Sequence, residues 1–184
     1  MQISSSGLAL RGLYPVSSGS KFYTRVILMT ETVSSRLAAL GLELPVSSNP
    51  VANYVSYTVV KDMVYVSGQL PITASGLSCT GHLGGNVDID AGISAARQAG
   101  LQVIAKLNEA CDGDLERVAQ IIRLDVFVAS TPDFADHPQV ANGVSDLMVD
   151  VFGDVGRHTR AAVGVAALPL NAPVEVSCIA RLQS

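Results

Sequence analysis

The chain has 184 residues, enough for one ordinary domain and too few for two comfortable ones. Apolar residues make up 48% and charged residues 15%. Gly, Ser, Asn or Asp cuts every apolar run short of the roughly 20 residues that a helical membrane span needs, which excludes that class. The net charge of −4 hides an asymmetry: residues 1–30 carry +3 with no acid, leaving −7 for the remainder, which lacks the basic stripe that phosphate contacts require. No nucleic-acid partner is expected.

Residues 1–28 are Ser-rich, acid-free and dotted with Arg and Lys, the composition of a mitochondrial or plastid transit peptide. They are set apart as an N-terminal extension, and 29–184 as the domain. A mitochondrial matrix or plastid location is expected if the extension is such a leader, and a cytoplasmic one otherwise. From Glu31 the pattern changes. "TETVSSRLAALG" offers a Thr cap, Val33, Leu37 and Leu40 on one helical face, and Gly41 as the stop. After the Pro-bounded "LELPVSSNPVANY", the run "YVSYTVVKDMVYVSG" predicts two strands around a tight turn at Lys61-Asp62. Between Asp88 and Cys111, Ile89, Ile93, Ala96, Gly100, Val103, Leu107 and Cys111 recur at helical steps. "RVAQIIRLDVFVAS" predicts a long strand. Val140, Val144, Leu147 and Val151 mark a second main helix ending at Gly153, and strands over Arg160–Ala167 and Val174–Leu182 complete the chain.

After the short leading helix the order is β-β-α-β-α-β-β. This suits an α+β fold, a mixed β-sheet with two main helices packed on one face. The other face carries apolar or small residues and is expected to lie against neighbouring subunits. The low charge points the same way, to a homo-oligomer. Cys79, Cys111 and Cys178 are odd in number and have no C-x-x-C spacing, so they read as free thiols in a reducing compartment. His82, His137 and His158 stand singly, and no metal-ligand cluster is expected.

Against this sparing use of charge, the last two strands carry Arg160 and Glu175. Period-two alternation puts Arg160 with Ala162, Gly164 and Ala166, whose small side chains leave room beside the guanidinium for a ligand or another chain. Glu175 shares a side with Ser177. Two readings stay open: an ion pair within the chain, or a guanidinium fork that holds a carboxylate while Glu175 positions or deprotonates a water. "YVSGQLP" ends a strand in Ser67-Gly68-Gln69, where Gly permits close backbone approach to a ligand; a plain strand exit is the alternative. Asn142 reads as a helix cap or turn residue near the start of "VANGVSDL", or as part of a pocket. His158 reads as a surface or interface side chain.

Five motifs then stand in register: "SGQLP" at Ser67–Pro71, "DF" at Asp133-Phe134, "VAN" ending at Asn142, "TRAAVGVAALP" at Thr159–Pro169 and "APVEVSCIA" at Ala172–Ala180. Over about residues 31–182 the chain resembles the reactive intermediate/imine deaminase family, also called YjgF-like or endoribonuclease L-PSP. "RLAALGLELP" and "PVANYV" resemble its chorismate-mutase-like subgroup. The resemblance implies a chorismate-mutase-like homotrimer with sites in the clefts between subunits. It implies that Arg160 grips a substrate carboxylate, that Glu175 lies near the attacking water, and that Tyr54, Ser67, Gly68 and Asn142 line the pocket. The implied reaction is hydrolysis of an enamine or imine acid such as 2-aminoacrylate to a 2-keto acid and ammonia, without cofactor or metal. The alternative is a non-catalytic protein of the same fold that binds a carboxylate metabolite; an endoribonuclease is the least favoured on charge. The chain departs from the family pattern in three places: Ala161-Ala162 after the Arg, Ser145 where a Tyr is common, and Ser177 where a second acid often stands.

Overall fold

A computed structural model of the protein describes residues 31–46 and 53–183. The expectations for residues 1–28 lie outside the described residues. Thr32 caps α1 (Val33–Ala39): its hydroxyl accepts from the Ser35 amide at 3.0 Å, and the Ser35 hydroxyl accepts from the Thr32 amide at 2.9 Å. Val33 and Leu37 are buried, whereas Leu40, expected on the same face, is the C-cap residue and is 40% exposed. Strands β1 (Tyr57–Val60) and β2 (Met63–Gln69) pair antiparallel with Val60 opposite Met63, which leaves Lys61-Asp62 as the two-residue turn. A second, small hairpin of β3 (Ile72–Thr73) and β4 (Gly76–Leu77) follows. With two residues per strand it has no periodicity to announce it.

Helix α2 (Ile89–Ala110) starts where the Asp88 carboxylate accepts the Ala91 amide at 2.7 Å and stops at Cys111, as predicted. Strand β5 (Val118–Ala129) leads to α3 (His137–Phe152), which Gly153 ends with φ 64°. Strands β6 (Thr159–Val165) and β7 (Val174–Leu182) close the chain. The main sheet has the order β1-β2-β7-β5-β6, with β5 and β6 parallel and the other pairs antiparallel. The α+β, mixed-sheet expectation therefore holds, with α3 as the crossover that a parallel pair requires.

Strict alternation decides where the core lies. Val64, Val66, Leu124, Val126, Val128, Val174, Val176, Cys178 and Ala180 are at most 4% exposed and lie under α2 and α3. Each such Val or Leu contributes roughly 1.5–3 kcal/mol of transfer free energy. The opposite face leaves Tyr65 43% and Val163 46% exposed, beside the half-buried Phe127 and Ile179. The two helices approach closely at small residues. A methyl on Gly143 of α3 would lie 2.1 Å from the Ile93 carbonyl oxygen of α2, a backbone atom that cannot turn aside. Gly143→Ala is accordingly expected to cost about 1–3 kcal/mol, read as a lower melting temperature. An unchanged melting temperature would show that the helices separate freely.

Candidate active site

Strand register, which alternation within a single strand does not supply, assigns the sides. Arg160, Ala162 and Gly164 of β6 pair with Leu124, Val126 and Val128 of β5, so they lie on the helix side of the sheet. Glu175 and Ser177 of β7 pair with Phe127 and Asp125 and lie on the open side. Arg160 and Glu175 thus stand on opposite faces of one sheet, about three residues or roughly 10 Å apart along β5. The reading of them as an ion pair within the chain is overturned. Among the described residues neither has an opposite charge within 4.0 Å.

On the helix side, the Arg160 guanidinium lies across the first turns of α3. Nη1 donates to Asn142 Oδ1 and to Ser145 Oγ, both at 3.0 Å, and Nη2 donates to the Pro138 carbonyl at 3.3 Å. Three of its five N–H groups are spent on neutral acceptors, and Nε–H and one N–H of Nη2 are without a partner among the described residues. Pro138, Asn142 and Ser145 fall on one stripe of α3, away from the buried Val140, Val144, Leu147 and Val151. Asn142 lies in the second turn of α3 and so is neither its cap nor a turn residue, because the helix already begins at His137. The small residues beyond Arg160 make room for a different group than expected. A methyl on Gly164 would meet His137 Nε2 at 2.5 Å and Ser130 Oγ at 2.9 Å, and those two atoms are 3.0 Å apart.

His158, set aside in the sequence as a surface or interface side chain, belongs to this cluster. Its Nδ1 faces the Gly156 carbonyl at 2.6 Å and its Nε2 faces Ser145 Oγ at 3.0 Å. Burial pushes its pKa below the ordinary value; the Gly156 bond opposes this and the Arg160 charge adds to it. A carbonyl only accepts, so Nδ1 carries the hydrogen, and in the neutral ring Nε2 accepts from the Ser145 hydroxyl.

On the open side, β2 bulges against β7: Val66 pairs with Cys178 and Gln69 with Val176, so Ser67 and Gly68 together oppose Ser177. The Ser67 hydroxyl donates to the Val55 carbonyl at 2.7 Å, tying β2 to the segment that carries Tyr54. Tyr54 itself is 58% exposed. The absent side chain of Gly68 makes room for Glu175, since a methyl there would lie 1.8 Å from Glu175 Oε1. Burial raises the Glu175 carboxyl above its ordinary range. Gly68→Ala must therefore displace the carboxylate, and roughly a tenfold to hundredfold loss of any Glu175-dependent rate is expected at near-native melting temperature. A fully active variant would remove Glu175 from the reaction.

Each chain thus presents two separate groups, Arg160 with Asn142, Ser145 and His158, and Glu175 with Ser67 and Gly68. The thiols belong to neither. All three are free, and burial pushes Cys178 up to about 12. Among the described residues no cluster of three or more His, Cys, Asp or Glu is placed to hold a metal ion, and no helix is long and apolar enough to cross a membrane.

A family model described as "YjgF/chorismate mutase-like, putative endoribonuclease" matches residues 34–182. The chain belongs to this family. The YjgF-like relatives include protein TCP17 of Trypanosoma cruzi, 46% identical over 153 residues, which are 83% of this chain and 95% of TCP17. Among YjgF-like structures, the protein Atu1372 of Agrobacterium tumefaciens is 41% identical with a TM-score of 0.78, covering 82% of this chain and 92% of that one. A protein of Shewanella oneidensis MR-1 given the same endoribonuclease label is 38% identical with a TM-score of 0.79, covering 83% and 100%. The YjgF-like resemblance and fold read from the five motifs are therefore correct.

Proposed function

We propose that this protein hydrolyses reactive enamine and imine acids of the 2-aminoacrylate kind to 2-keto acids and ammonia. The observation that carries the reading is Arg160: a half-buried guanidinium with no carboxylate partner among the described residues, held by three neutral acceptors, with a donor pair left over. A planar pair of N–H donors matches a carboxylate bidentately. The enamine tautomerises to an imine, water adds to the imine carbon, and the carbinolamine loses ammonia to leave the carbonyl. Arg160 orients the substrate by its carboxylate, and Glu175, with its raised pKa, takes the proton from water and returns it to the departing nitrogen. No cofactor takes part.

Because the two groups lie on opposite faces of one sheet, one chain cannot close this site on its own. The reading therefore includes a homotrimer in which the Arg160 group of one subunit meets the Glu175 group of the next. The exposed Tyr65 and Val163 on the open sheet face support such an assembly. Sedimentation of the purified chain tests it, and a monomer at micromolar concentration would contradict it.

Ser177, at the position of a second acid, favours a second reading in which the same clefts bind a carboxylate metabolite without turnover. Saturable binding of pyruvate with no ammonia release from 2-aminoacrylate selects it. Cleavage of RNA is disfavoured by the net charge of −7 beyond residue 30, and RNA cleavage lost in Arg160→Ala would reinstate it.

A further inference from the structure

We propose that Ser145 and His158 are positioning residues that hold the Arg160 guanidinium in its ligand-binding orientation through a directional relay of hydrogen bonds. The proposal deepens the carboxylate reading of this site and rests on it. Its basis is the directionality of four consecutive groups. Arg160 Nη1 has hydrogens only to give, so Ser145 Oγ accepts at 3.0 Å. The hydroxyl hydrogen of Ser145 is then free to point at His158 Nε2, 3.0 Å away. That nitrogen is an acceptor because Nδ1–H is committed to the Gly156 carbonyl at 2.6 Å. Each bond sets the direction of the next, and such chains strengthen one another in a partly desolvated site.

The anchor is rigid. Gly156 is buried, and a methyl on it would lie 2.1 Å from the Met148 carbonyl, so the carbonyl that orients His158 sits on a segment pressed against α3. Asn142 Oδ1 takes the second hydrogen of Nη1, and with both hydrogens of Nη1 held the planar group cannot rotate about its Nε–Cζ bond. The unspent donors on Nε and Nη2 are then presented as a pre-oriented pair. Without the relay, the guanidinium keeps its charge and loses its direction.

The test compares full-length wild type with His158→Asn, His158→Gln, Ser145→Ala and the Ser145→Ala/His158→Asn pair. The asparagine keeps a donor toward Gly156 and lacks the acceptor for Ser145, whereas glutamine restores an acceptor near the Nε2 position. Two readouts are taken: the nitrogen NMR signals of the Arg160 side chain without ligand, and the Kd for pyruvate. In wild type the two Nη groups should give separate signals, which merge in His158→Asn and Ser145→Ala and separate again in His158→Gln. Pyruvate affinity should fall roughly fivefold to thirtyfold in each single variant and no further in the double one, as residues of one chain behave. The His158→Asn change should have no effect on Kd in an Arg160→Ala background. Separate Nη signals in both single variants, or independent losses that add in the pair, overturn the relay. If wild-type protein fails to bind pyruvate while the Arg160 signals respond as described, the relay stands and the carboxylate reading falls.

Discussion

Arg160→Ala is expected to lower kcat/KM for imine-acid hydrolysis about a thousandfold, the loss that follows from removing a bidentate, charge-assisted pair worth roughly 4 kcal/mol. The melting temperature should change little, because the three partners of the guanidinium are neutral and two of them, Asn142 and Pro138, are exposed enough to return to water. Arg160→Lys supplies the sharper comparison. Lysine retains the charge and lacks the planar fork, so it should recover no more than about a tenth of the wild-type rate. Equal rates for Lys and Arg would reduce Arg160 to a source of positive potential. An unaffected Arg160→Ala enzyme would place the site elsewhere on the chain.

Glu175→Gln is expected to lower kcat by about a hundredfold or more, the range for losing a positioned proton-transfer group. It should also stabilise the protein at neutral pH. Burial raises the Glu175 carboxyl above its ordinary value of 4.5, so above that pH the folded chain binds more protons at this group than the unfolded chain does. Folding stability therefore falls as pH rises from about 4.5 through the raised value, and glutamine, which does not titrate, removes that loss. Thermal unfolding of both proteins from pH 4 to pH 8 reads the effect. The variant should melt at the higher temperature at pH 7, with the difference shrinking toward pH 4. A variant that is less stable at pH 7 would mean that the Arg160 group of the neighbouring subunit outweighs the burial of the carboxylate in the assembled protein. The combination of lower activity with higher stability is what a carboxylate retained for chemistry produces.

The elements were legible where physical signals were local. Asp88 and Cys111 bracket α2 because one is a cap and the other ends a helical apolar repeat, and the Lys61-Asp62 turn follows from the two β-rich runs that flank it. The sides of the sheet were not legible. Alternation groups Arg160 with Gly164 and Glu175 with Ser177, yet whether the two groups share a face depends on the β5 register that both strands borrow. That information is held in long-range pairing. Asn142 reads as a cap from its residue type, yet it lies in the second turn of α3, because Pro138 is accommodated in the first turn, where its missing N–H costs no helical bond. His158 was missed for a related reason, since its ring is oriented by a main-chain carbonyl that no residue type encodes. One usable signal was present: Pro138, Asn142 and Ser145 line the stripe of α3 opposite its apolar face, and two of them are polar groups spaced to share one partner.

The central claim is tested most directly by measuring 2-keto acid formation when imine acids are generated in place by an amino acid oxidase, with wild type set against Arg160→Ala. Wild-type protein is expected to accelerate the hydrolysis of at least one short, branched or aromatic imine acid, and Arg160→Ala to lose about a thousandfold of that acceleration. Wild-type protein that leaves all three classes at the uncatalysed rate would contradict it.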